Sequence, residues 1–240
     1  MLLYMGSISL TQQLDYYSLV HDQLVQQLGS TPAQTHLANS LFLVVIGSND
    51  LLDYFNKDSN VSKKYTPSQY VHLMASTLKQ FIKRLYGLGA RKFVVIGVGV
   101  IGCCPEQRMQ NNDTSRCNEE ANYWSTKYNI RLKSLLKELK LESHDLTHSY
   151  FATYRAMNAL IRDPQSYGIV EIKEACCGLG TLNADMPCLP ISNVCSNRSD
   201  YLFWDLYHPT EMVSHMFADL IYQGSPRFTL PVNVEHLVHM

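Results

Sequence analysis

Asp205 and His208 stand three residues apart in the stretch Phe203-Trp204-Asp205-Leu206-Tyr207-His208-Pro209-Thr210-Glu211. A carboxylate at that spacing can accept the Nδ1–H of an imidazole, fix its tautomer and leave Nε2 free as a general base. That is two of the three members of a hydrolase triad. An apolar run of helical period follows, carried by Met212, Val213, Met216, Phe217, Leu220 and Ile221. Pro209 suits the first turn of that helix and biases His208 toward extended backbone. The imidazole is therefore expected on a loop at a helix mouth. Two plainer readings fit the same residues: a capping loop whose Asp binds backbone N–H groups, or a surface histidine. A metal site from Asp205, His208, Glu211 and His215 has helical spacing. No H-E-x-x-H or paired-cysteine ligand set accompanies it, so no metal is assigned.

A second chemical candidate lies at Gly47-Ser48-Asn49-Asp50, after the apolar run Leu41–Ile46. Such a run reads as a strand buried on both faces of a parallel sheet. Ligands in open α/β sheets bind outside the carboxyl ends of the strands. There Asn49 could donate its side-chain amide to an oxyanion, with Gly47 allowing close backbone approach. The plainer reading is an Asn-Asp turn. The Gly-rich stretch Gly97-Val98-Gly99-Val100-Ile101-Gly102-Cys103-Cys104-Pro105 follows a second apolar strand, Phe93–Ile96. It has neither the Lys-Ser/Thr of a P-loop nor the G-x-G-x-x-G spacing, so phosphate-loop and dinucleotide readings are both rejected.

The elements that must hold these residues alternate. A helix is expected over 7–28, with Leu10, Leu14, Tyr17, Val20, Leu24 and Leu28 on one face and Gly29 as its stop. A capped helix begins at Thr66-Pro67-Ser68-Gln69 and a third covers 117–140. A weaker strand spans 145–151, a short helix 152–162, and the last helix 210–222. Residues 171–200 read as a stapled loop, and 225–240 show no pattern.

With 240 residues the chain can form one domain with a full core, and 20 basic against 21 acidic residues give a net charge of −1. No long basic stripe appears, so neither nucleic acid nor an anionic membrane surface is implied, and no apolar run reaches membrane-spanning length. Met1–Gly6 lacks a basic n-region, so no signal peptide is expected in this chain. Seven cysteines, Cys103, Cys104, Cys117, Cys176, Cys177, Cys188 and Cys195, look like a disulfide framework. Sequons at Asn60, Asn112 and Asn197 add to a secretory design.

Jointly, Ile46-Gly47-Ser48-Asn49-Asp50, the Gly99–Pro105 stretch, Ala175-Cys176-Cys177-Gly178, Cys195-Ser196-Asn197 and Trp204–Glu211 resemble the plant GDSL esterase/lipase family of SGNH hydrolases. The resemblance runs from about Gly6 to Gly224. It implies a three-layer α/β/α, flavodoxin-like fold in a single domain over 1–240, with strand order 2-1-3-4-5 and the first two strands missing. It implies hydrolysis of carboxylic (lipid or acyl) esters without metal or organic cofactor, secretion, and a small-molecule ester as partner. His208 becomes the general base, Asp205 its orienter, and Asn49, beside Gly47, the oxyanion donor. No G-D-S occurs in the sequence, so no nucleophile is assigned, and the chain is expected to be inactive by itself. Gly6-Ser7 falls in the loop after the family's second block, and Ser48 has no reason to point at His208. The rivals are a non-catalytic binding or regulatory remnant and a gene-model artefact. A Cys104–Cys117 disulfide is expected, with Cys176, Cys177, Cys188 and Cys195 paired among themselves and Cys103 left over. The strand at 41–46 becomes an open edge, which a lysine at Val44 is expected to blunt.

Overall fold

The computed structural model describes residues 8–240; Met1–Ser7, with the leading apolar stretch and the start of the expected first helix, lie outside the described residues. Helix α1 (Leu10–Leu28) opens with a capping box between Ser9 and Gln12, and Gly29 ends it as expected. Helix α2 (Ser30–Asn39) follows at once and was not anticipated. Its Pro32 lies in the first turn, where a missing N–H costs nothing, and only Ala33 and Leu37 are buried, too few to print a period. Strand β1 (Leu41–Val45) leads to α3 (Ser48–Tyr54), then α4 (Pro67–Gly87), whose Thr66/Gln69 capping box and early proline are as read from the sequence.

After β2 (Lys92–Ile96) come a 3₁₀ turn at Ile101–Cys103, short α5 (Pro105–Met109) and long α6 (Glu119–Glu142). Strand β3 (Thr147–Phe151) and α7 (Thr153–Arg162) complete the alternation. The expected stapled loop contains β4 (Glu171–Ala175), which pairs in parallel with β7 (Tyr201–Phe203), and a small antiparallel pair, β5 (Cys177–Gly178) with β6 (Asn193–Val194). Helix α8 (Glu211–Gln223) lies one residue beyond the expected 210–222; Thr210 is its N-cap, so Pro209 stands just before the helix rather than in its first turn. Two elements lie in the tail where no pattern was read: β8 (Thr229–Pro231) and α9 (Val234–Val238).

The main sheet runs β1-β2-β3-β8, with the first three strands parallel and β8 antiparallel. Helices lie on both faces, an α/β three-layer arrangement. On one face Phe42, Val44, Phe93, Val95 and Tyr150 pack against Leu14 of α1 and the apolar sides of α4 and α6. On the other, Val94 and Phe151 are buried, with Phe217 of α8 5.7 Å from the Phe151 ring.

Register makes Leu43, Val94 and Ser149 neighbours on that second face. The face is closed over β2 and β3 but not over β1, where Leu43 and Val45 are each 64% exposed. The expectation of a strand buried on both faces is therefore wrong for β1. Among the described residues it is an edge strand covered on one side only, and Val44 is on the covered side. Among the described residues no helix is long and apolar enough to cross a membrane.

The disulfides are Cys103–Cys117, Cys176–Cys195 and Cys177–Cys188, and Cys104 is free and buried. The expected Cys104–Cys117 bond is off by one residue. The 3₁₀ turn places Gly102 under the start of α6, where its carbonyl accepts from Asn118 N at 2.7 Å. Cys103 thereby faces Cys117, with 4.4 Å between their Cα atoms. Cys104 is extended, turns the opposite way, and points its thiol at the Tyr207 carbonyl. Burial pushes that thiol's pKa well up.

Candidate active site

The Asp205–His208 loop is closed at its base by backbone bonds. Trp204 N donates to His208 O at 2.8 Å, and Thr210 N donates to Leu202 O at 3.0 Å. The Thr210 hydroxyl reaches back to Tyr201 O at 2.8 Å. These bonds follow from β7 running into a tight return, so five residues carry the whole excursion. Inside it, Asp205 Oδ1 accepts from the backbone N–H groups of Tyr207 at 3.1 Å and His208 at 2.9 Å. The capping-type turn and the acid–base pair were read as rivals, yet one carboxylate does both.

His208 Nδ1 lies 2.9 and 2.8 Å from the two Asp205 oxygens. An ionised carboxylate can only accept, so Nδ1 carries the proton and Nε2 of the neutral ring is an acceptor. Burial acts to raise the Asp205 pKa, but bonds from the His208 ring and the two amides outweigh it and hold the group below its ordinary range. The hydrogen bond to Asp205 raises the His208 pKa, against partial burial. The Tyr207 ring meets the imidazole edge-on, 4.7 Å between centroids.

His208 opens onto a cleft of about 360 Å³ that Gly47, Ser48 and Asn49 also line. The cleft sits at the carboxyl ends of β1 and β2, where Ile96, Gly97 and Gly99 form its floor. Asn49 is not in a plain turn. It lies in the first turn of α3, which Gly47 starts at φ +111°. A side chain at Gly47 would be strained at that φ, and its Cβ would come within 2.8 Å of the buried Tyr128 ring. Asn49 itself is exposed. Ser48 lines the cleft as well, but among the described residues no hydroxyl is hydrogen-bonded to the His208 ring.

The glycine-rich floor has a packing explanation. A Cβ at Gly97 would collide with the Tyr150 hydroxyl, and one at Gly99 with the Met157 sulfur. Two asparagines of α6 fasten this segment. Asn129 accepts from Val98 N at 2.9 Å and donates to Val98 O at 2.8 Å, while Asn122 accepts from Gly102 N at 2.9 Å. Neither was picked out in the sequence. The available signal was Asn122, Ser125 and Asn129 recurring on the otherwise apolar, buried side of α6.

The other expected positions are scattered. Asn60, Asn112 and Asn197 are exposed, far apart in sequence and outside the cleft lining. Glu211 and His215 pair with each other at 3.7 Å on the exposed side of α8, while Asp205 is committed to His208. No group of three or more metal-ligating side chains occurs among the described residues.

The chain matches the profile of the GDSL-like lipase/acylhydrolase family over residues 8–221. A GDSL esterase/lipase of Arabidopsis thaliana is 42% identical over 234 residues, covering 97% of this chain and 62% of that protein. A second from the same plant is 37% identical over 241 residues, covering 98% of this chain and 64% of its own length. A third is 32% identical over 237 residues, again 98% of this chain and 63% of the relative. The chain thus spans a little under two-thirds of the length of these relatives.

Proposed function

The chain belongs to the family of GDSL-like lipases and acylhydrolases, and from that premise we propose that it supplies the acid–base and oxyanion parts of a carboxylic ester hydrolase. His208 acts as general base and then general acid through Nε2. Asp205 orients the ring and stabilises the imidazolium. Asn49 donates its amide to the developing oxyanion, with Gly47 keeping the backbone close. The observation that carries this reading is the two-oxygen grip of Asp205 on His208 Nδ1, at 2.9 and 2.8 Å, facing a cleft that Asn49 also lines. A largely apolar cleft wall of Ile96, Ile101, Met157 and Phe217 suits the acyl part of a lipid or other acyl ester.

The nucleophile is not among residues 1–240 in this proposal, which rests on the lack of a G-D-S motif and on the His208 ring bonding to no hydroxyl among the described residues. Turnover of a short-chain chromogenic ester by residues 1–240 should stay at background, with no fluorophosphonate labelling. Fusing the G-D-S-containing segment of the 42%-identical Arabidopsis relative to this chain should bring both back. His208→Ala in the fusion should then cost about 10²–10⁴-fold, the usual scale of general acid–base catalysis. Stoichiometric labelling of the unfused chain at Ser7 or Ser48, or a fusion indifferent to His208→Ala, would overturn the assignment. Three disulfides and exposed sequons at Asn60, Asn112 and Asn197 support maturation in an oxidising secretory compartment. A mass shift on enzymatic deglycosylation of plant-expressed protein tests this.

A further inference from the structure

We propose that the outer face of α6 is a docking surface for an anionic lipid bilayer, a role separate from ester hydrolysis. The buried side of α6 is Ala121, Ser125, Tyr128, Leu132, Leu135 and Leu139, packed on the sheet. Helical periodicity puts Tyr123, Lys127, Ile130, Ser134, Lys137 and Leu141 in one line on the opposite side. Three of these are apolar or aromatic and unusually open: Tyr123 52%, Ile130 51% and Leu141 75% exposed. Between them and beside them stand Lys127, Lys137, Arg131 and Lys133.

None of those four cations is paired with a carboxylate among the described residues; Lys127 rests on the Tyr123 ring at 4.9 Å. The helix carries four acids: Glu119 and Glu120 stand in its first turn, before Tyr123, while Glu138 and Glu142 at its other end are neutralised by Lys79 and Lys83 of α4 at 2.7–3.0 Å. Over Lys127–Lys137 the helix thus carries four cations and no acid, in a chain of net charge −1.

The occupant follows from the chemistry. Positive charge calls for an anionic partner, which argues against a second copy of the same face. Apolar side chains on the same line, spread over about 27 Å of helix, would find nothing to bury them on a polyanionic sugar. A bilayer offers both, with lysines reaching headgroups while Tyr123, Ile130 and Leu141 enter the acyl boundary. The Tyr123 end of the line is the end tied to the cleft segment through Asn122 and Gly102.

The disulfide-intact chain should cosediment with vesicles of equimolar phosphatidylcholine and phosphatidylglycerol and not with phosphatidylcholine alone, and added salt should weaken binding. Lys127→Gln with Lys137→Gln should weaken binding about thirty-fold, from the usual contribution of a cation near such a surface. Ile130→Ser should weaken it too, and the thermal midpoint of each exposed variant should match the wild type. Equal retention on both vesicles, full binding by the double variant, or capture by polygalacturonate beads without vesicle binding would each overturn the proposal.

Discussion

At the scale of single residues, the Asp205–His208 pair has a pH signature. The Asp205 bond raises the His208 pKa, so the free base appears only as pH rises through that elevated value. Asp205→Asn should bring the imidazole back toward about 6.5, read from its ring protons by NMR titration; an unchanged value would remove Asp205 as the cause. The same pair contributes to folding within a window. The raised imidazole gives stability that is complete below its unfolded pKa and fades as pH rises through the folded one. The lowered carboxylate gives stability that is present above its unfolded pKa and is lost as pH falls through the folded one. The pair was legible because three residues of separation suffice to bring it together. The disulfide partner was not, since Cys103 and Cys104 differ only in which way a 3₁₀ turn aims them. Cys103→Ser should cost about 3 kcal/mol in the chain-entropy description of a loop this size. Cys104→Ala should cost well under half of that, and a thiol reagent should reach Cys104 only upon unfolding. Peptide mapping that finds Cys104 bridged to Cys117 would reverse both expectations.

At the scale of elements, caps and long apolar stripes were readable, and short or weakly buried pieces were not. Thr66-Pro67-Ser68-Gln69 announces α4 through a side-chain exchange that needs only four residues. Helix α3 is not legible at Gly47–Asp50, which admits an oxyanion loop or an Asn-Asp turn; its buried residues Leu51, Leu52 and Tyr54 are too few to print a period. Strand β8 has three residues and exists through its pairing with β3. In β3 itself, burial, with Lys140 adding a little, depresses the His148 pKa to about 4. A depressed imidazole must take up a proton on unfolding, so the protein loses stability as pH falls below the unfolded value near 6.5. At pH ~5 the loss from this one group is about 2 kcal/mol. His148→Phe should keep that increment, so urea midpoints of wild type and variant should diverge between pH 7 and pH 5. Parallel pH profiles would show that His148 is not the sensitive group.

At the scale of the whole molecule, the alternation of strand and helix gave the α/β class, and the strand order β1-β2-β3 agrees with consecutive parallel units. What the sequence could not show is which face of Leu41–Val45 is covered, since a uniformly apolar run has no inside or outside until neighbours are placed. Val44, 6% exposed, points into the core under α1 and α4, while Leu43 is open. Leu43→Lys should raise soluble yield by blunting edge association, whereas Val44→Lys should destabilise by several kcal/mol through an unpaired buried charge. Equal effects of the two would mean that β1 is covered on both sides in solution. The cleft is built from parts of unequal permanence. Asn129 offers Val98 an acceptor and a donor at once, as the next strand of a sheet would. The Val98 amide should therefore exchange with deuterium only through rare, near-global openings, while the His208 amide, held by one side chain at an exposed position, should exchange through frequent local ones. The slowest protons of the protein would then reach past the end of β2 into the floor of the cleft, a fixed bed beneath the imidazole.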